Sequence, residues 1–299
     1  MPLKNLVINL DKPKDITSRE AVTKASWKLG LKKAGHCGTL DPIATGVLVI
    51  CTDQATRIAP LVADLPKTYQ ATMRLGQTTD TQDAYGTILQ EVPAVNVPME
   101  KIQQALALFQ GTLLQTPPMF SAKKYQGRPL YRLARQGIEV PRQPNSVEVH
   151  KITLDNYAAP FVTFTVRCSK GTYVRTLCHD IGIHLGVGAH LSALTRLAVG
   201  PFTKENAVAL EDLSPDGQGI LTLSDALSWL PELTVKSTSV RRVKNGNPLK
   251  TIDLIHLPPQ NFSDGSLVKV MSPDNALLLA IGQCTTTKQF QVKMQIVFA

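Results

Sequence analysis

Apolar positions in the first two hundred residues switch between two periods. Residues 6–10 and 47–51 are short, nearly continuous apolar runs of strand length, and 69–75 alternates as a strand with one wet face does. Residues 147–154 and 161–168 read as a hairpin of long strands, and 191–199 as a further strand. Between them, 18–31, 99–109 and 172–185 carry apolar residues at helical spacing, with Ser18 placed to cap the first helix. Strands separated by helices, with a hairpin among them, predict an α+β fold built on a mixed, mainly antiparallel sheet flanked by helices.

Two regions break this rhythm. Residues 117–143 form an insert. Beyond Pro231 the chain becomes short strands and turns, expected at 240–243, 267–271, 276–281 and 290–297. Residues 213–219 and the neighbourhood of Pro231 are the expected linkers. At 299 residues the chain has room for two domains, here 1–230 and a small β-rich unit over 231–299.

Charge adds a partner class. Lys plus Arg number 32 against 23 for Asp plus Glu, a net of +9, which favours a polyanion, nucleic acid first and anionic membrane second. No apolar run reaches membrane-spanning length, and residues 1–4 begin no signal-like stretch. The five cysteines, Cys37, Cys51, Cys168, Cys178 and Cys284, are odd in number and never at Cys-x-x-Cys spacing. That usage fits a reducing, cytoplasmic setting without disulfides or thiolate zinc. His179 and His184 stand five apart and form no metal box. Ser169-Lys170-Gly171-Thr172 and Gly186-Val187-Gly188 fall short of phosphate-loop and dinucleotide fingerprints. The expected reaction therefore uses no cofactor and no metal, which leaves isomerisation, hydrolysis and simple transfer.

Four constellations carry candidate chemistry. Gly35-His36-Cys37-Gly38-Thr39-Leu40-Asp41-Pro42-Ile43-Ala44-Thr45-Gly46 is a glycine-rich loop holding one carboxylate. Asp41 suits a nucleophile or base. Asp before Pro also suits a helix cap, and the loop alone does not separate the two. Lys67-Thr68-Tyr69 opens a strand with an aromatic that is either sheet packing or a stacking platform for a base, and Asp80 and Asp83 beyond it read as turn anchors. Lys170-Gly171-Thr172-Tyr173-Val174-Arg175 turns from a strand into a helix. A cation in a first helical turn opposes the dipole, so Arg175 calls for an anionic partner, and Asp41 in a bidentate pair is the natural one. Within the insert, Lys123, Lys124, Arg128, Arg132, Arg135 and Arg142 interleave with Phe120, Tyr125 and Tyr131, the footprint of an RNA-gripping flap.

Taken together these blocks resemble the TruB family, the bacterial tRNA pseudouridine-55 synthases. Asp11-Lys12-Pro13, the Asp41 loop, Leu75-Gly76-Gln77-Thr78-Thr79-Asp80-Thr81, the insert from Pro117-Pro118-Met119-Phe120, Lys170 through Thr176, and Gly188-Ala189-His190-Leu191 follow its motifs in order. Cys37, Ile43 and Phe120 depart from its usual residues without removing a functional group. The resemblance implies isomerisation of a T-loop uridine to pseudouridine, by breaking N1–C1′ and joining C5 to C1′ in a flipped nucleotide. It implies that Asp41 acts on the ribose as nucleophile or as base of the 2′ proton, that Tyr69 stacks on the uracil, and that Arg175 positions Asp41. Tyr173 and Leu194 are expected to line the base pocket and His36 to fill space vacated by flipped bases. Lys12 and Lys67 match positions near the pocket, and Asp83 is expected to orient backbone or RNA. The C-terminal region resembles a PUA-type RNA-binding domain, best over 265–282. The implied enzyme is a cytoplasmic monomer acting on tRNA, away from membranes and without guide RNA or protein partner. The alternative is a non-catalytic tRNA-folding chaperone, in which Asp41, Tyr69 and Arg175 need not occur together.

Overall fold

The computed structural model describes residues 5–93, 95–215, 217–256, 262–285 and 290–298. Residues 1–4 and position 216 of the expected linker lie outside them. The chain runs β1 (Val7–Lys12), α1 (Ser18–Leu29), β2 (Ala34–His36), β3 (Ala44–Thr52), α2 (Ala59–Asp64), β4 (Lys67–Leu75), β5 (Gln77–Thr79), β6 (Ile88–Glu91) and α3 (Met99–Leu108). It continues β7 (Gly111–Gln115), β8 (Lys124–Tyr125), β9 (Arg128–Pro129), α4 (Leu130–Ala134), β10 (Asn145–Ala158), β11 (Phe161–Cys168), α5 (Val174–His184) and β12 (Ala189–Val199).

Apart from the small β5–β6 and β8–β9 pairs, these strands and three short ones that follow build one mixed sheet of 11 strands, whose main path runs from Val208–Ala209 through β1, β3, β12, β4, β11 and β10 to β7. The expected hairpin is the β10–β11 pair, and β11 pairs antiparallel with β4. Only the β3–β12 contact and the short Val208–Ala209 edge are parallel. One face of the sheet carries α1, α3 and α5 over a core that includes Leu10, Leu48, Ala71, Met73, Phe164 and Leu177. Continuous apolar β3 is buried on both faces, as its unbroken pattern requires.

The second sheet has 5 strands: Glu232–Thr234, Leu249–Lys250, Leu267–Met271, Leu278–Thr285 and Gln291–Val297. Its Ile281 and Phe298 join a core cluster with Val47, Val49 and Val199, so the two sheets pack together.

Three local expectations are corrected. Helix α1 is capped by Thr17: its hydroxyl accepts from Glu20 N at 3.1 Å, and the Glu20 carboxylate accepts from Thr17 N at 2.7 Å. Ser18 is thereby released for a different task, described below. Residues expected as a strand at 240–243 form the short helix Val240–Lys244, because Val240 and Val243 are one helical turn apart and Val243 alone is fully buried. The strand expected at 276–281 begins at Leu278, since the Asp274 carboxylate accepts from Ala276 N at 3.2 Å and holds that residue in a turn.

Candidate active site

Asp41 starts a turn, with Ala44 N donating to its carbonyl at 3.0 Å, and no helix follows. The helix-cap reading of Asp-Pro is thus set aside: Pro42 serves the turn, and Pro42 O accepts from Asp15 N at 2.8 Å. Ser18, freed from capping, holds the preceding residue at both backbone groups. Its hydroxyl donates to Leu40 O at 2.9 Å and accepts from Leu40 N at 2.7 Å. On the far side, Gly46 (φ +96°) lets β3 press against β12, since a Cβ there would lie 2.3 Å from Arg196 O. The carboxylate is therefore carried on a loop fixed at both ends.

Arg175 meets it from the first turn of α5. Its Nε lies 2.9 Å from Asp41 Oδ2, and its side chain is 4 % exposed against 37 % for Asp41. The expected bidentate pair does not form, because the rest of the fork is committed elsewhere. Nη1 donates to Thr81 O at 2.9 Å and approaches Asp83 Oδ2 at 3.6 Å, and Nη2 donates to Phe120 O at 2.8 Å. One guanidinium thus ties together the Asp41 loop, the turn at 80–83 and the root of the insert. Asp83 itself is a turn anchor, accepting from Thr81 Oγ1 at 2.7 Å and Tyr85 N at 3.0 Å. Asp80 accepts from Thr87 N at 2.8 Å in the same turn.

Asp41 opens onto a cleft of about 280 Å³ lined also by Lys67, Tyr69, Tyr173, Leu194 and Arg196. Tyr69 points inward because β4 alternates, placing Lys67, Tyr69, Ala71, Met73 and Leu75 on the buried side. Tyr173 is the residue before α5. Its N–H and carbonyl are both bonded by the Gln115 amide, at 2.9 and 3.2 Å. Leu194 sits on β12 opposite Ala71 on one side and Ala44 on the other. A larger cavity of about 590 Å³ lies on the other side of Asp41, bounded by His36, Pro42, Tyr85, Phe120, Tyr131 and Arg135. His36 is therefore placed apart from the base cleft.

Two expected ligand-contacting lysines are turned to the protein. Lys12 is fully buried, and its ammonium donates to Pro13 O and Ile16 O at 2.8 Å each. Lys67 lines the cleft, yet its ammonium donates to Ala63 O and to Leu65 O, the latter at 2.6 Å. Burial pulls both down to about 8. Lys12 thus braces the β1–α1 connection and contributes charge at a distance. In the insert, Lys124, Arg128, Arg132 and Arg135 are exposed. Lys123 instead donates to Asn145 Oδ1 at 2.9 Å, and Arg142 to Pro117 O at 3.1 Å and Glu139 Oε1 at 2.9 Å. These last two close the base of the flap.

Burial raises the Asp41 pKa above the ordinary aspartate range; Arg175 opposes the rise, Asp83 adds to it, and Lys12 opposes it. Burial likewise raises the Tyr69 phenol, against the nearby Arg196 charge, and lowers His36. If ionised Asp41 is the working form, activity is full above its raised pKa and lost as pH falls through it. A single-turnover pH profile is thus expected to show its acid limb above the ordinary value of about 3.9. Arg196 and Gln115 carry this site without having stood out in the sequence, and Ser18 stood out only as a helix cap. Their only signals are a charge inside an apolar strand, and polar residues at strand and helix ends.

The chain as a whole is similar to proteins of one family. Residues 26–174 match the N-terminal domain model of TruB family pseudouridylate synthase, and 175–218 match the tRNA pseudouridylate synthase B C-terminal domain. The junction between the two models falls inside α5, within one continuous sheet. The chain is 42% identical over 281 residues to tRNA pseudouridine synthase B of Syntrophotalea carbinolica, covering 92% of this chain and 91% of that protein. It is 44% identical over 243 residues to the protein of that name from Symbiobacterium thermophilum, covering 80% and 81%. Among solved structures, a Cbf5-Nop10-Gar1 complex is similar with TM-score 0.77 and 31% identity, over 100% of this chain and 86% of that one. An H/ACA RNP bound to a substrate RNA containing 2'-deoxyuridine is similar with TM-score 0.76 and 28% identity, over 98% and 85%.

Proposed function

Because the chain belongs to the TruB family of pseudouridylate synthases, we propose that it isomerises one uridine in the T-loop of tRNA, position 55, to pseudouridine. The observation that carries this reading is the Asp41–Arg175 pair on the floor of a cleft walled by Tyr69 and Leu194. A uracil flipped into that cleft stacks on Tyr69, and the stacking offsets the few kcal/mol that unstacking costs. Asp41 faces the ribose, as nucleophile at C1′ or as base toward the 2′ proton. The N1–C1′ bond breaks, the uracil turns and C5 bonds to C1′; as it does so, any Asp41–C1′ bond breaks, or the 2′ proton held by Asp41 is returned. The C5 proton passes to solvent with Tyr69 as relay and N1 takes one proton from solvent, so the exchange is proton-neutral and no other group is consumed.

The remaining T-loop nucleotides occupy the larger cavity, with His36 filling space that flipped bases leave. Residues 1–230 act as the catalytic domain and 231–299 as a PUA-like RNA-binding domain that grips the acceptor stem. The enzyme works in the cytoplasm as a monomer without guide RNA, with the 117–143 insert serving as the clamp. Conversion of a T-arm stem-loop transcript, mapped by chemical labelling of pseudouridine, tests the substrate. Product at the T-loop uridine supports the reading, and none with the protein alone contradicts it.

The clamp makes a separate prediction. Replacing exposed Arg128, Arg132 and Arg135 by Gln should weaken tRNA binding and flatten its salt dependence by roughly 0.7–0.9 in slope per lost phosphate contact. An unchanged slope in a filter-binding series would remove the insert from the interface.

A further inference from the structure

Arg196 is a buried guanidinium that bonds to backbone carbonyls. It is 2 % exposed, and among the described residues no carboxylate pairs with it. A charge stripped of both water and counter-ion is costly to hold, and an apolar residue would fill a strand position more cheaply. The bonds it makes show what it holds. Nε donates to Val47 O at 2.7 Å, Nη2 to Gly38 O at 3.0 Å and Nη1 to Thr39 O at 3.4 Å. Gly38 and Thr39 precede Asp41, and Val47 follows its turn, so a single rigid fork clamps the loop on both sides. On β12 the residue stands between β3 and β4, opposite Gly46 in one register and opposite Tyr69 in the other. It lines the same cleft as Asp41 and Tyr69.

We propose that Arg196 is a positioning residue for the isomerisation, locking the Asp41 loop and Tyr69 into one frame across the bound base. The strands do not depend on it, because β3, β12 and β4 are already joined by their own ladders. Its charge also lies beside the Tyr69 phenol and opposes the rise that burial imposes there. This inference rests on the pseudouridine synthase reading of the site.

Arg196→Gln removes the charge and the fork, whereas Arg196→Lys keeps a charge but cannot span three carbonyls. The measurements are single-turnover pseudouridine formation with excess enzyme, the tRNA Kd, and thermal unfolding. The expected result is a Kd within about threefold of wild type in both variants. The rate falls by roughly 10²-fold in Arg196→Gln, the loss typical of a misplaced reacting group, and recovers about tenfold of that in Arg196→Lys. An unchanged rate, a rate and affinity that fall together, or a Lys variant no better than Gln would overturn the proposal. So would both variants unfolding below assay temperature, which would assign Arg196 to the fold alone. A wild-type enzyme that makes no pseudouridine would instead overturn the reading of function on which the inference rests.

Discussion

Asp41→Asn is expected to bind tRNA like wild type and to form pseudouridine roughly 10⁴-fold more slowly or not at all. An amide is neither a nucleophile nor a base at neutral pH, and positioned base catalysis alone is worth about 10²–10⁴. The fold should survive. Asp41 is not a core residue, its side chain being 37 % exposed, and Arg175 keeps Thr81 O, Phe120 O and the neighbouring Asp83 carboxylate. Asn also keeps an oxygen that can accept from Arg175 Nε and carries no charge for burial to penalise, so the stability cost should be small. Thermal unfolding alongside single-turnover kinetics separates the two effects. A large stability loss would make Asp41 a structural carboxylate.

Changes at Arg175 should be the next most damaging, and Arg175→Lys is the milder of two. The charge remains, but one ammonium cannot reach Asp41, Asp83, Thr81 O and Phe120 O together. The carboxylate and the insert root then lose their shared frame, with an expected rate loss of roughly 10²-fold at nearly constant tRNA affinity. Arg175→Met goes further. It leaves a nearly buried Asp83 and two carbonyls without their cation, and truncating one member of a buried pair costs about 3–5 kcal/mol. It should also push the acid limb of the pH profile higher, since Arg175 is the strongest of the charges that oppose the effect of burial on Asp41. A Lys variant with wild-type turnover would mean that the guanidinium braces the fold and not the reaction.

The periodic elements were legible in the sequence because apolar spacing records burial directly, as β4 and the β10–β11 hairpin show. Elements under weaker burial were not. Val240–Lys244 has its two valines one helical turn apart, a spacing too short to distinguish from a strand. Ser18 and Thr17 are both good caps, and only the reciprocal Glu20 bond decides between them. The central pair of the site, Asp41 and Arg175, could be matched by charge logic, yet the division of the fork among four partners depends on the turn at 80–83 and on Phe120 arriving beside α5. Lys12 and Lys67 illustrate the opposite limit. A lysine in a motif looks available to RNA, but both ammoniums are spent on carbonyls of their own loops.

The most direct test of the central claim is tritium release from tRNA transcript carrying uridine labelled at C5, with wild type and Asp41→Asn side by side at saturating enzyme. Wild type is expected to release the label stoichiometrically, and Asp41→Asn to release none above background despite equal tRNA binding. Equal release from both enzymes would contradict that claim and would place the chemistry on a group other than Asp41.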